Sequence, residues 1–159
     1  MIDEVTICLH SAQPEVVEKQ LELLSGINDK YKVHYNKRID RHPGPYDSFS
    51  ALVNDHVATS PSEHIIFISD DTVPSGDDIQ FLLDKLDNGF AVASLISIAF
   101  MAFTKEVFRV VGWWDERYLG GGYEDDEFVL KMRCHEMAYY ESHTGTNDRS
   151  VRGGNNKPS

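Results

Sequence analysis

The sequence has little cysteine, little basic charge and no long apolar run. Its two cysteines, Cys8 and Cys134, form no CxxC pair and are too few for a disulfide framework, so we expect a reduced, cytoplasmic protein. No apolar run approaches the roughly 20 residues of a membrane-spanning helix. The N-terminus is acidic rather than basic, which argues against a signal peptide.

The shortage of basic residues leaves the chain strongly negative. Against 26 aspartates and glutamates stand 15 lysines and arginines, which gives a formal net charge of −11 at pH 7. This balance argues against unaided binding to nucleic acid or to an anionic membrane. An acidic protein that binds a diphosphate needs a cation to offset the repulsion, so the charge favours a metal wherever a phosphate ligand is involved.

The apolar pattern predicts an α/β fold. The 159 residues allow one domain with a sizeable core, and runs rich in β-branched residues alternate with stretches of helical spacing. This alternation indicates a central, mostly parallel sheet flanked by helices. The predicted domain covers residues 1–146, and the polar, glycine-rich residues 147–159 are expected to form a flexible tail. The predicted strands lie at 4–9, 31–35, 65–68, one or two within 90–103, and 138–141; the predicted helices lie at 15–24, 49–59, 79–86, 105–111 and 124–137.

The first acidic cluster, Asp70 and Asp71, follows an apolar strand. Ligands of parallel α/β sheets bind beyond the carboxyl ends of the strands, and carboxylates there suit Mg²⁺ or Mn²⁺ shared with substrate phosphates. An isolated Asp-Asp pair more often turns the chain and caps the next helix. Here the cap candidates, Asp77 and Asp78, come several residues later, which leaves the pair free for another task. The spacing of an EF-hand is absent.

The second acidic cluster starts at Glu124, behind a glycine-rich segment that runs from Gly112. Its glycines permit a tight backbone path and close approach of a ligand. The rings of Trp113, Trp114 and Tyr123 offer flat apolar faces that suit the C–H faces of a sugar. An ordinary loop with aromatic anchors, followed by a helix whose dipole favours acidic residues in its first turn, is the alternative reading of this segment.

In this order and spacing the two segments resemble the GT-A fold nucleotide-sugar glycosyltransferases. Residues 69–71 are similar to the metal-binding DxD segment of that family. Residues 112–125 look like its acceptor-side motif, of family-2 or galactosyltransferase type, in which Gly-aromatic-Asp-Glu leads through glycines to a Glu-Asp pair. The opening strand and helix, residues 5–24, resemble the nucleotide side of the fold. The resemblance spans about residues 4 to 145.

On the donor side, the resemblance implies a nucleotide-sugar bound with Mn²⁺ or Mg²⁺. Asp71 matches the metal-ligating carboxylate, and Asp70 matches the neighbour that contacts the ribose or the metal shell. His143 falls where many relatives place a late histidine ligand. His10 and Ser11, at the end of the first strand, are expected to contact the donor.

On the acceptor side, the resemblance implies a glycan or another hydroxyl acceptor and transfer with inversion. Asp125 matches the catalytic base, and Glu124 matches its acceptor-binding neighbour. Around them we expect acceptor contacts from Trp113, Trp114, Gly122 and Tyr123.

Three departures from the family pattern are evident. Ser69 stands where many relatives have the first Asp of the motif. No clear acidic residue after Tyr35 matches the one that often reads the base. The chain is short for the family, so its acceptor loops are trimmed or a second copy in a homo-oligomer completes the site.

Two alternative functions remain open from the sequence. A nucleotidyltransferase also uses carboxylate-bound metal, but it usually has a basic or glycine-rich phosphate loop, which residues 9–13 do not provide. A non-catalytic module that binds a nucleotide-sugar or a glycan would tolerate Ser69 without further compensation.

Overall fold

A six-stranded sheet forms the centre of the computed structural model, which describes residues 1–39, 48–96, 99–118 and 123–142. The strands are β1 Glu4–Ser11, β2 Lys32–Ile39, β3 His64–Ile68, β4 Val92–Ile96, β5 Phe100–Thr104 and β6 Tyr139–Glu141. The α-helices in these ranges are α1 Pro14–Leu23, α2 Phe49–Thr59, α3 Gly76–Asp87, α4 Lys105–Val111 and α5 Glu124–Cys134, and a 3-10 helix covers Ser25–Asp29.

The sheet is mixed but mostly parallel, with the strand order β2-β1-β3-β5-β4-β6. β1 runs parallel to β2 and β3, β4 runs parallel to β6, and β5 is antiparallel to both of its neighbours. Every strand except β5 therefore points the same way. The carboxyl ends of β1, β3, β4 and β6 lie along one edge of the sheet, which is where ligands of α/β folds bind.

Two hydrophobic layers cover the two faces of this sheet. Alternate residues of β3 divide between them, so that Ile65 and Phe67 join one layer while Ile66 and Ile68 join the other. The first layer includes residues of α2, α4 and α5, and the second includes residues of α1 and α3. The result is the three-layer α/β arrangement expected from the alternation of strands and helices.

The predicted elements are found, and the differences have local causes. Ser48 caps α2, because its hydroxyl accepts the Ala51 N–H. α3 begins at Gly76, three residues earlier than predicted, because Ser75 and Asp78 form a reciprocal capping box. The apolar run 90–103 contains both β4 and β5, and the 3-10 helix was not predicted.

Two further observations concern the length of the helices and the state of the cysteines. None of their helices combines the length and the apolar character needed to cross a membrane. Both cysteines are free thiols: Cys8 is buried and Cys134 is exposed. Burial raises the pKa of the Cys8 thiol to about 12, so this thiol stays protonated.

Helix α5 ends at Cys134 rather than at residue 137 because the backbone turns left-handed at Glu136, with φ +56°. The Glu136 N–H donates to the Arg133 carbonyl and the Met137 N–H donates to the Met132 carbonyl, which is the Schellman pattern. Glycine usually occupies this position, since any side chain there is strained.

We therefore expect Glu136→Gly to raise the free energy of unfolding by about 0.5–1 kcal/mol through relief of this strain. Urea denaturation measures the change. The matched control is Leu130→Gly, in the middle of the same helix, which should lower stability by about 0.5–1 kcal/mol. If both glycine variants destabilise the protein equally, Glu136 is not strained.

Candidate active site

Asp70 and Asp71 lie on a hydrogen-bonded turn at the carboxyl end of β3. The Thr72 N–H donates to the Ser69 carbonyl (3.2 Å), and the Ser69 N–H donates to the Ala99 carbonyl (2.8 Å). The Ser69 hydroxyl donates to Oδ1 of Asp71 (2.5 Å) and lies 2.9 Å from the Thr72 hydroxyl. Asp71 is exposed and Asp70 is partly exposed. The turn thus presents the Asp71 carboxylate to solvent, and the Ser69 hydroxyl orients that carboxylate.

The same turn is attached to α1 by Gln20, a residue that the sequence analysis missed. Its side-chain Nε2 donates to the Ser69 carbonyl (2.9 Å) and to the Thr72 carbonyl (3.0 Å), and the residue is 3% exposed. A signal was present in the sequence, because Gln20 falls on the buried stripe of α1 together with Val17. A polar residue on such a stripe needs a buried partner.

His10 and Ser11 lie at the end of β1, at the predicted edge, but their side chains are buried. The His10 ring packs on Phe67 with ring centroids 5.0 Å apart, and the Ser11 hydroxyl accepts the Gln13 N–H (3.0 Å) at the start of α1. In the described residues His10 packs in the core and Ser11 turns the chain, and their contact with a donor stays a prediction.

His56 is a second buried histidine beside His10, with ring centroids 5.9 Å apart. Burial, and to a lesser degree the charge of Arg38, lowers the pKa of His56 to about 3. Its ring is neutral at physiological pH and belongs to the core beneath α2.

The glycine-rich segment is held against α2 by the side chain of Asn54. Its amide donates to the Trp114 carbonyl and to Oε2 of Glu116, both at 2.9 Å, and its Oδ1 accepts the Trp114 N–H at 3.0 Å. Gly112, with φ +89°, ends α4 and lets the chain turn into this segment. The sequence analysis did not single out Asn54.

The two adjacent tryptophans have opposite environments. Trp114 is 2% exposed and packs against Phe128 with ring centroids 5.3 Å apart, so its ring belongs to the core, and its contact with a sugar stays a prediction. Trp113 is 49% exposed, and its ring rests on Phe108 with centroids 5.4 Å apart. Open cavities of about 480 and 360 Å³ adjoin it, lined together by Ala51, Asn54, Asp55, Val57, Ala58, Lys105, Phe108, Arg109 and Glu116.

The start of α5 combines backbone strain with a buried carboxylate. Tyr123, 76% exposed, precedes the helix with φ +67°, a left-handed conformation that costs a non-glycine residue about 1–2 kcal/mol. Glu124 is 1% exposed, and neither carboxylate oxygen has a hydrogen-bond partner among the described residues. Asp125 is partly exposed and Asp126 is exposed. A buried carboxylate without partners is unfavourable unless a ligand supplies donors.

The acidic helix start lies close to β6. Burial, followed by the negative charge of Glu141 and then of Asp125 and Asp126, raises the pKa of the Tyr139 hydroxyl on β6. β6 ends on the same edge of the sheet as β3, three strand spacings away, or about 14 Å. The two acidic clusters thus belong to one edge.

Two predicted site residues, Gly122 and His143, lie outside the described residues, as does the tail at 147–159.

Comparisons with known proteins agree with this architecture. No protein-family model and no curated protein matches the sequence. Among solved structures, the catalytic domain of Drosophila β1,4-galactosyltransferase 7 in complex with xylobiose has a TM-score of 0.66 at 14% identity, over 99% of this chain and 76% of that one. A mutant of the same enzyme in complex with manganese, UDP-Gal and xylobiose has a TM-score of 0.67 at 16% identity, over 97% and 72%.

A third similar structure is a proposed nucleotide-diphospho-sugar transferase from Desulfovibrio desulfuricans. Its TM-score is 0.54 at 11% identity, over 88% of this chain and 79% of that one. At such identities the similarity shows the fold. The chain has the single-domain α/β architecture of the GT-A nucleotide-sugar glycosyltransferases, as the sequence resemblance predicted.

We expect Asn54→Ala to lower the free energy of unfolding by about 1–3 kcal/mol, because it leaves the buried backbone polar groups of Trp114 without partners. Thermal or urea denaturation measures the loss. Asn28→Ala is the matched control, since Asn28 is exposed and its side-chain amide makes two long hydrogen bonds of 3.4 Å, donating to the Ser25 carbonyl and accepting from the Tyr35 hydroxyl. Equal stability of the two variants would show that Asn54 does not anchor the segment.

Proposed function

We propose that this protein is a glycosyltransferase that moves a sugar from a nucleotide-diphosphate sugar to an acceptor hydroxyl with inversion. One observation carries the proposal. A single sheet edge holds the exposed carboxylate of Asp71 at one place and, near the end of β6, the helix start with the buried carboxylate of Glu124, which has no hydrogen-bond partner among the described residues. The first group suits a cation with a diphosphate, and the second suits a ligand rich in hydroxyl groups.

The Asp70-Asp71 turn fits a divalent cation of the Mn²⁺ or Mg²⁺ type. Such ions are held in proteins by one or two carboxylates together with substrate phosphates. The described residues contain no group of three His, Cys, Asp or Glu side chains that could hold an ion by themselves, so the donor diphosphate would complete the shell. Asp71 would hold the ion, with His143 as the second protein ligand that the family resemblance implies. When bound, the ion would neutralise the charge that develops on the leaving diphosphate.

The acceptor chemistry falls to the start of α5. Asp125 accepts the proton of the acceptor hydroxyl. At the same time, the oxygen of that hydroxyl bonds to the anomeric carbon of the donor sugar. In the same step the bond from that carbon to the diphosphate oxygen breaks, and the nucleoside diphosphate leaves with the bonding electrons. Glu124 accepts hydrogen bonds from further acceptor hydroxyls, which gives its buried oxygens their missing partners. The exposed rings of Trp113 and Tyr123 line the acceptor path.

Further expectations remain proposals of the same kind. We propose a reduced, cytoplasmic location, which the free thiol of exposed Cys134 supports. A second copy of the chain can complete the acceptor side in a homo-oligomer. A nucleotidyltransferase and a non-catalytic sugar-binding module are the alternatives, and no feature of the described residues favours either.

A ligand screen followed by a chemical assay tests the function. Thermal unfolding is measured with UDP-, GDP- and CMP-sugars, each with Mn²⁺ and with EDTA. The stabilising donor is then incubated with the protein, and release of the nucleoside diphosphate is measured with and without glycan acceptors. Acceptor-stimulated release supports a glycosyltransferase. Donor binding without any release identifies a binding module, and release of pyrophosphate from a nucleoside triphosphate with a sugar phosphate identifies a nucleotidyltransferase.

Donor binding is expected to depend on the cation and on Asp71. Calorimetry with UDP should show binding with Mn²⁺ and little with EDTA, since the chain carries a net charge of −11. Asp71→Ala should abolish the Mn²⁺-dependent part without loss of stability, because the side chain is exposed. His143→Ala should weaken it. Asp77→Ala, an exposed aspartate in the first turn of α3, is the control and should bind normally. Equal affinity with Mn²⁺ and EDTA would refute the metal site.

Transfer is expected to depend on Asp125. Removal of a positioned base typically lowers the rate by about 10²–10⁴-fold, so Asp125→Asn should lose transfer by that order while it keeps donor affinity. Asp126→Asn, the exposed neighbour on the same helix turn, is the matched control and should retain most of the activity. Near-normal transfer by Asp125→Asn would show that this carboxylate is not the base.

A further inference from the structure

The turn that carries Asp70 and Asp71 is fixed to the domain by a side chain outside the proposed chemistry. Gln20 projects from α1, and its Nε2 donates to the carbonyl oxygens of Ser69 and Thr72, the first and last residues of the turn. An amide nitrogen has two hydrogens, so each carbonyl takes one. The opposite amide orientation would place Oε1 against two carbonyl oxygens, which excludes it.

We propose that Gln20 is a positioning residue for the cation site, an inference that rests on the proposed function of Asp71. Its two hydrogen bonds hold both ends of the turn in place, and the Ser69 hydroxyl then orients the Asp71 carboxylate. Without Gln20 the turn would keep its internal hydrogen bond and its contacts with the Ala99 carbonyl, but it would lose its attachment to α1. Gln20 therefore fixes the direction in which Asp71 presents its oxygens before any ligand arrives.

The contacts of the Ser69 hydroxyl explain how a serine can stand where the resembled family has the first aspartate of its DxD segment. The Ser69 hydroxyl contacts Asp71 and the Thr72 hydroxyl, and Thr72 Oγ1 donates to the Ala99 carbonyl (3.3 Å). Ser69 itself is largely buried. A buried hydroxyl that already has these partners supports a carboxylate rather than binding a cation. The turn thus has a backbone support, Gln20, and a side-chain support, Ser69.

Backbone amide exchange in the metal-free protein tests the positioning role directly. Gln20→Met keeps the length of the side chain and removes both donors. We expect exchange of the Thr72 amide, which donates to the Ser69 carbonyl, to accelerate at least tenfold while the core amides of Ile66 and Phe67 keep their rates. Gln80→Met is the matched control, since Gln80 lies on α3 and its amide donates to Oδ1 of Asp84 (2.8 Å) rather than to the turn. Gln20→Asn, too short to reach both carbonyls, should show the same local acceleration and replaces Gln20→Met if that variant does not fold.

Calorimetry with Mn²⁺ and UDP gives the second measurement. Gln20→Met should bind Mn²⁺ at least tenfold more weakly than Gln80→Met. Unchanged Thr72 exchange, or equal acceleration at Thr72 and in the core, would overturn the proposal. If the wild-type protein itself binds no Mn²⁺, the proposed function of Asp71 fails, whereas the exchange experiment still decides whether Gln20 holds the turn.

Discussion

The position of β3 between β1 and β5 is the constraint on which the site depends. From Ile65 to Ile68 every residue of β3 is buried, so its register against both neighbours is fixed by packing on two faces. Strand β3 therefore ends at Ile68, and Ser69 begins the turn that carries Asp70 and Asp71. Because β5 is antiparallel, it leaves at the opposite edge, where the Lys105 N–H donates to the Glu63 carbonyl. Helix α4 follows β5 and leads into the segment that Asn54 holds against α2.

Much of this fold can be predicted from the sequence, because each element has a local signal. Strand β3 is a short apolar run, and α2 begins at a serine that caps it. The direction of β5 has no such signal. Residues 90–103 are apolar almost throughout, and residues 90–94 and 100–103 are buried, so their pattern reports burial without reporting strand direction. The left-handed turn at Glu136 was also hidden, since glutamate gives no hint of a positive φ.

In the candidate site, too, the chemical groups could be predicted from the sequence, whereas the burial of the side chains could not. The carboxylates of Asp71 and Asp125 could be named from the sequence, because residue type and spacing define them. Burial could not be read from the same letters: Trp113 and Trp114 are identical neighbours, and the contact of Asn54 with the backbone of Trp114 decides which ring faces the core. Gln20 shows the converse case, a polar residue on an apolar stripe whose partners lie 49 and 52 residues away in sequence.

The reversal between β4 and β5 has a consequence for the order of folding. Ile96 pairs with Phe100, so this hairpin closes over a few residues and loses little chain entropy. The pairing of β1 with β3 joins Thr6 to Ile65 and closes a much longer loop. Pairings between distant segments form slowly, which places the hairpin early and the edge that carries Ser69 late. A folding chain would therefore pair β4 with β5 before the turn that carries Asp70 and Asp71 forms.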